Sequence, residues 1–164
     1  MDHQTDDEHI SFALETWKMT IEVQQHFNDL ELRIRNFAIT VLVAIFGAVG
    51  LTLSKPEFLS AFGLKTSSTV MLLIAGLIAW LAFYVMDRWW YHLMLRGAVQ
   101  HAATIEAKLK NKVPGIELTT SINKANKIYI FDKWSFGASR RIDFFYGVVS
   151  IFLILAIIIF WISG

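Results

Sequence analysis

The sequence predicts an all-α integral membrane protein with three transmembrane helices, a long cytoplasmic amino-terminal helix and a cytoplasmic helical hairpin. Three observations lead there. The chain of 164 residues is 55% hydrophobic with a mean hydropathy of +0.47, more apolar side chain than the wet surface of a soluble domain this size accommodates. The excess is concentrated in three windows free of charge, 36–54, 66–86 and 144–164, each close to the roughly 20 residues a helix needs to cross about 30 Å of hydrocarbon. The basic residues lie overwhelmingly on one side of those windows.

Helices are the expected form of the windows, because backbone amides inside lipid must be satisfied within the segment. The alternation of a membrane barrel is absent. Residues 1–35 lack the basic n-region and short apolar core of an export signal, so the first window is expected to be a retained anchor. The sequence has no cysteine, which excludes disulfides, thiolate nucleophiles and zinc–thiolate sites.

Lys and Arg near span ends mark the cytoplasmic side. Segment 1–35 holds Lys18, Arg33 and Arg35; segment 87–143 holds ten basic residues. The loop 55–65 holds only Lys55 and Lys65. Thirteen against two predicts a cytoplasmic amino terminus, a cytoplasmic 87–143 and an external carboxyl terminus in a bacterial inner (plasma) membrane. Trp89, Trp90 and Tyr91 at the end of the second span, and Phe144, Phe145 and Tyr146 at the start of the third, suit the interface.

Thr5-x-x-Glu8 fits a capping box, predicting a helix start near Asp6. From about residue 10 to 53 one helix is expected, with an apolar stripe at Met19, Val23, Phe27, Leu30, Ile34, Phe37 and Val41 that must be buried against the 87–143 segment or a neighbouring subunit. The pairs Asp29–Arg33 and Glu31–Arg35 read as a solvated face carrying i,i+4 ion pairs. Ser54-Lys55-Pro56-Glu57 reads as a stop and a fresh start, with Phe58, Leu59 and Phe62 in the outer headgroup region and Ser67 or Ser68 capping the second span. The chain then stays helical from Asp87 to about Lys112, and Val113-Pro114-Gly115 breaks it. Thr119 or Thr120 is expected to cap a further helix through Ile122, Ala125, Ile128 and Tyr129 to about Gly137, and Ser139 opens the third span.

In the first span, Thr40, Ala44, Ala48 and Thr52 recur every fourth residue beside Gly47 and Gly50. Small residues let helix backbones approach in lipid; the same stripe could line a narrow pore, so these are helix-packing or pore-lining candidates. Ala75, Gly76, Ala79 and Ala82 offer a shorter version in the second span. The third span is bulky throughout, which predicts an outermost place facing lipid, with the first span central. No Asp, Glu, Lys, Arg or His lies inside any window, against proton relays, voltage sensing and ion-coupled transport. Any conduit would form between subunits and be gated by apolar side chains.

Segment 1–35 is acidic, eight acidic groups against three basic, and 87–143 is basic, ten against five. Opposite signs suggest that the amino-terminal helix docks on this segment. Lys108, Lys110, Lys112, Lys124 and Lys127 are candidates for a surface meeting a cytoplasmic protein, lipid headgroups, a nucleotide or nucleic acid. Arg96 and His101 fit R-x4-H, which resembles the signature of HEPN ribonucleases. The histidines have no metal-ligand spacing, and no phosphate loop or nucleophile motif is present. Neither a cofactor nor enzymatic activity is expected.

Leu30-Glu-Leu-Arg-Ile-Arg-Asn36 leading into the first span, and Asp87-Arg-Trp-Trp-Tyr-His92 leaving the second, resemble in arrangement the SLATT-type two-span membrane effectors of bacterial anti-phage systems. The third span departs from that pattern. The resemblance implies a homo-oligomer that forms a gated pore or perturbs the inner membrane when a cytoplasmic partner signals infection. The alternatives are a non-conducting anchor or assembly subunit recruiting a soluble partner through residues 1–35, and a membrane-tethered HEPN-like ribonuclease.

Overall fold

A computed structural model describes residues 2–54, 68–125, 128–130 and 134–163. The order is α1 (Asp2–Ser54), α2 (Ser68–Val85), a π-helical turn (Met86–Tyr91), α3 (His92–Leu109), α4 (Leu118–Ala125), β1 (Ile128–Ile130), β2 (Trp134–Phe136) and α5 (Ala138–Ser163). The described residues are therefore almost wholly helical. Among the described residues three helices are long and apolar enough to cross a membrane, which supports a membrane protein. The expected loop 55–65 lies outside the described residues, as do Ser67 and Lys127. Contacts divide the chain into two compact units, Met1–Glu31 with Trp90–Arg141, and Leu32–Trp89 with Ile142–Gly164.

The second unit is a bundle of apolar helices. Ala38, Val49, Leu73, Trp80, Ile142, Tyr146 and Leu153 form its core. Partner numbers rise along α1 as they fall along α2: Arg35 meets Asp87, Ile45 meets Gly76 and Thr52 meets Thr69. Those two helices are antiparallel. Trp80 with Tyr146, and Arg88 with Asp143, give the same sense for α2 and α5. Gly76 marks a close approach of α2 to α1, since a Cβ there would lie 2.9 Å from Ile45 Cγ2. The core is small and the outside is greasy: Ile78, Ile151 and Ile159 are 64%, 60% and 60% exposed. An apolar coat of this extent suits lipid rather than water.

The third helix is not merely an outer one, because Leu153 is fully buried and the Trp80 indole donates to the Tyr146 carbonyl at 3.1 Å. Its bulky residues divide between core and coat, a distinction that hydropathy alone does not carry.

In the first unit, α1 runs antiparallel to α3, as the pairs Trp17 with Glu106 and Glu31 with His92 require. Ile105, Leu109 and Ile116 pack with Ile10, Ala13, Leu14 and Trp17. The stripe that periodicity picked out is buried only in part: Ile34 is buried and Phe27, Leu30 and Val41 are half-buried, while Met19, Val23 and Phe37 are exposed. Thr20 and Glu31 interrupt the packed face in sequence, and bonded partners let them be buried (Thr20 Oγ1 to the Thr16 carbonyl, Glu31 to His92). Helix α1 starts at Asp2, so Thr5 is inside the helix rather than at its cap.

The break at Val113-Pro114-Gly115 is present. Lys112 and Val113 amides both donate to the Leu109 carbonyl at 2.8 Å, proline cannot continue the helix, and Gly115 takes φ +81°, which favours glycine. Helix α4 ends at Ala125, short of the predicted run to Gly137. Ile128–Ile130 instead pairs antiparallel with Trp134–Phe136, Ile128 opposite Phe136 and Ile130 opposite Trp134. Ile-Tyr-Ile matches strand preference, and the few apolar residues there fitted the helical period by spacing alone.

Candidate functional site

Of the buried polar residues, Glu31, Asp87 and His92 lie just outside the apolar windows, Thr69 inside one, and Thr20, Glu106 and Thr119 farther along the chain. In the second unit, Asp87 occupies the π-helical turn and is completely buried. Such wide turns frequently occur at functional positions. Arg35 grips it with two prongs, Nε to Oδ2 at 2.7 Å and Nη2 to Oδ1 at 3.1 Å, the planar geometry in which guanidinium and carboxylate bind best. Nearby in the fold, Asp143 accepts from Arg88 Nε and Tyr84 Oη, both at 3.0 Å.

The first unit holds a second arrangement. His92 is buried, with Nδ1 3.1 Å from Glu31 Oε1 and Nε2 2.8 Å from Ser139 Oγ. An ionised carboxylate can only accept, so Nδ1 is the donor toward Glu31, while Nε2 lies within hydrogen-bond reach of the serine hydroxyl. Serine, histidine and carboxylate in this order also make up a hydrolase triad. Ser139 is not among the residues that line the cavity beside His92. The trio acts as a clasp between α1, α3 and the start of α5.

Glu106 forms the third arrangement. It is 1% exposed; Oε1 accepts from the Thr119 amide at 2.7 Å and Trp17 Nε1 at 3.2 Å, while Oε2 accepts from the Thr120 amide and hydroxyl at 3.0 Å. Burial pushes its carboxyl upward, but the Thr119 and Thr120 amides and the indole outweigh that and hold it below the ordinary value. The first turn of α4 is thus capped by a carboxylate from α3, not by the threonine side chain that the sequence suggested.

Charge pairing of the acidic amino-terminal segment with the basic one is visible at Lys112 Nζ and Asp6 Oδ1, 2.7 Å apart. That bond keeps the Asp6 carboxyl below its ordinary value. Lys110 pairs with Glu117 at 2.7 Å, holding Lys110 above and Glu117 below their ordinary values. Lys108 and Lys124 are exposed. The lysines therefore divide between internal pairing and open surface.

The small-residue stripe also divides. Thr52 packs inside the chain, its hydroxyl 2.9 Å from Thr69, and Ala48 is half-buried. Thr40, Ala44 and Gly47 are exposed. Thr40 bonds back to the Asn36 carbonyl at 2.9 Å, and a Cβ on Gly47 or Gly50 would meet nothing within 4 Å. Arg96 and His101 line two different cavities of the first unit.

Sequence reading missed the roles of Arg35, Asp87, Glu31 and His92. Glu31 and Arg35 looked like members of a solvated helix face, yet each has a specific partner on α3 or in the π turn. The available signal was an Asp immediately beyond the second window and an Arg immediately before the first. No known protein family, curated protein or solved structure matches the chain.

Proposed function

We propose that the chain is an oligomeric membrane effector, a gated pore or membrane-perturbing protein controlled by its water-facing part. The single observation that carries this reading is the exposed small-residue face of α1. Ala38 and Val49 satisfy packing within the chain, while Thr40, Ala44 and Gly47 on the same apolar stretch remain open. Small residues at an open helix face in lipid favour close approach by another helix. A second copy is the natural occupant for a three-helix bundle this thin. The distribution of Lys and Arg argues that the first unit is cytoplasmic, and the resemblance to anti-phage effectors supplies the setting, a bacterial inner membrane responding to infection.

The test is reconstitution into vesicles of phosphatidylethanolamine and phosphatidylglycerol, with dye release and subunit counting on the same sample. Wild type is expected to assemble and leak. Gly47→Leu, which meets open space within the chain, is expected to reduce assembly and leakage together. A monomer that leaves vesicles sealed would refute the reading.

A second reading has one observation in its favour. Met19, Val23 and Phe27 with Met94 line an open, largely apolar groove of about 650 Å³ in the first unit, as an anchor recruiting a soluble partner would need. It predicts stable co-purification through residues 1–35 from cells, with no conductance.

A further inference from the structure

The first unit contains a second cavity, of about 520 Å³, between α1, α3 and α4, within the size range of small-molecule sites. Five carboxamides reach its lining, from half-buried Gln24 and from exposed Gln25, Asn28, Gln100 and Asn123, with no carboxylate among the described residues that line it. Arg96 supplies a cation with no ion-pair partner among the described residues. Leu95, Val99 and Ile122 provide an apolar wall. His92 also borders the space, but both its ring nitrogens are engaged, so it is wall rather than ligand.

One polar atom at this cavity is left over: Gln24 Oε1 is buried without a hydrogen bond. Buried polar groups are nearly always satisfied, and an orphan calls for a water or ligand.

The geometry points to a binding site for a nucleoside monophosphate in this cavity. Carboxamides carry donors and acceptors together and match the edge of a heterocyclic base. One guanidinium answers one phosphate. A di- or triphosphate would need more positive charge or a metal, and among the described residues no carboxylate lines the cavity to hold one. Aliphatic side chains can cover the face of the base. The site does not depend on the pore reading, since binding is measured in detergent whether or not the protein conducts.

The experiment is isothermal titration of the full chain in detergent with AMP, GMP, CMP and UMP, and with ribose 5-phosphate and the free nucleosides as comparison arms. At least one monophosphate is expected to bind with a Kd below about 1 mM, more tightly than ribose 5-phosphate or its own nucleoside. Arg96→Gln is expected to weaken it about tenfold or more, and Gln24→Leu to weaken it and blur the preference among bases. Lys18→Gln, outside the cavity, should leave it unchanged. Folding of each variant is checked by its circular dichroism melt. Absence of binding by all four nucleotides up to about 5 mM, or binding untouched by both cavity substitutions, would overturn the proposal. Equal affinity for ribose 5-phosphate would overturn the assignment of a base-reading site.

Discussion

Replacing Glu106 with alanine should release α4 while sparing the apolar bundle. The side chain accepts four hydrogen bonds, two of them from backbone amides in the first turn of α4. Bonds to an ionised group contribute about 1.5–3 kcal/mol each, and a buried donor left unmade costs about 1–3 kcal/mol. Water entering the shortened site offsets part of this, leaving about 3–5 kcal/mol. Helix α4 has only eight residues, too few to hold itself without tertiary support, so the loss should appear as local opening. At about 1.4 kcal/mol per factor of ten, amide exchange in 118–125 should accelerate roughly 10²- to 10³-fold in detergent micelles, read by peptide mass spectrometry. Peptides from α2 and α5 should be unaffected. Glu106→Gln keeps one acceptor oxygen and should show an intermediate change. Unchanged exchange in 118–125, or equal acceleration everywhere, would refute the capping argument.

The same carboxylate sets an acid limit. Its folded value lies below the ordinary one, so the folded state binds the proton more weakly than the unfolded state. The contribution is complete above the unfolded value, about 4.5, and is lost as pH falls through the folded value. Protection of 118–125 should therefore be flat at neutral pH and decline below about pH 4.5. In Glu106→Gln that decline should be reduced.

Two further outcomes follow from the second unit. Gly76→Val places a branched side chain against Ile45, where even a Cβ lies 2.9 Å from Cγ2; a loss of about 1–3 kcal/mol is expected, seen as a lower melting temperature, while Gly50→Val, facing open space, should cost far less. Asp87→Ala leaves the Arg35 guanidinium without its fully buried partner and should destabilise by about 3–5 kcal/mol, whereas the double replacement Arg35→Met with Asp87→Leu should recover much of that loss, a coupling measured by a thermodynamic cycle.

The three apolar helices were legible because charge inside a span is costly, so its absence over some 20 residues is a strong signal. The break at Pro114-Gly115 was legible for a similar reason: few conformations tolerate those residues within a helix. Which faces pack was much less legible. Ala44 and Gly47 look like contact residues, yet within the chain Ala38, Ile45 and Val49 make the contacts and Gly76 receives them. In lipid both faces of a helix can be equally apolar, so the buried one carries no compositional mark. On the amino-terminal half, Ile10, Leu14 and Trp17 share their buried face with Thr20 and Glu31, and polar residues on a packed face disguise it.

Those polar residues explain how this chain fixes one arrangement. Greasy helices gain little from choosing each other over lipid, so apolar packing alone defines their register weakly. A two-pronged Arg35–Asp87 pair tolerates almost no sliding: shifting α1 against α2 by one residue would leave a fully buried carboxylate unmatched. Buried pairs add little net stability over an apolar pair, but breaking them is costly, and that asymmetry selects a single register. Glu31 with His92, and Glu106 with the α4 amides, impose the same all-or-none condition within the first unit. By this reasoning the double replacement of Arg35 and Asp87 should restore melting temperature without restoring a unique structure, visible as broadened or doubled amide resonances from α1 and α2. A stable double variant with a single sharp set would show that close packing at Gly76 suffices to set the register.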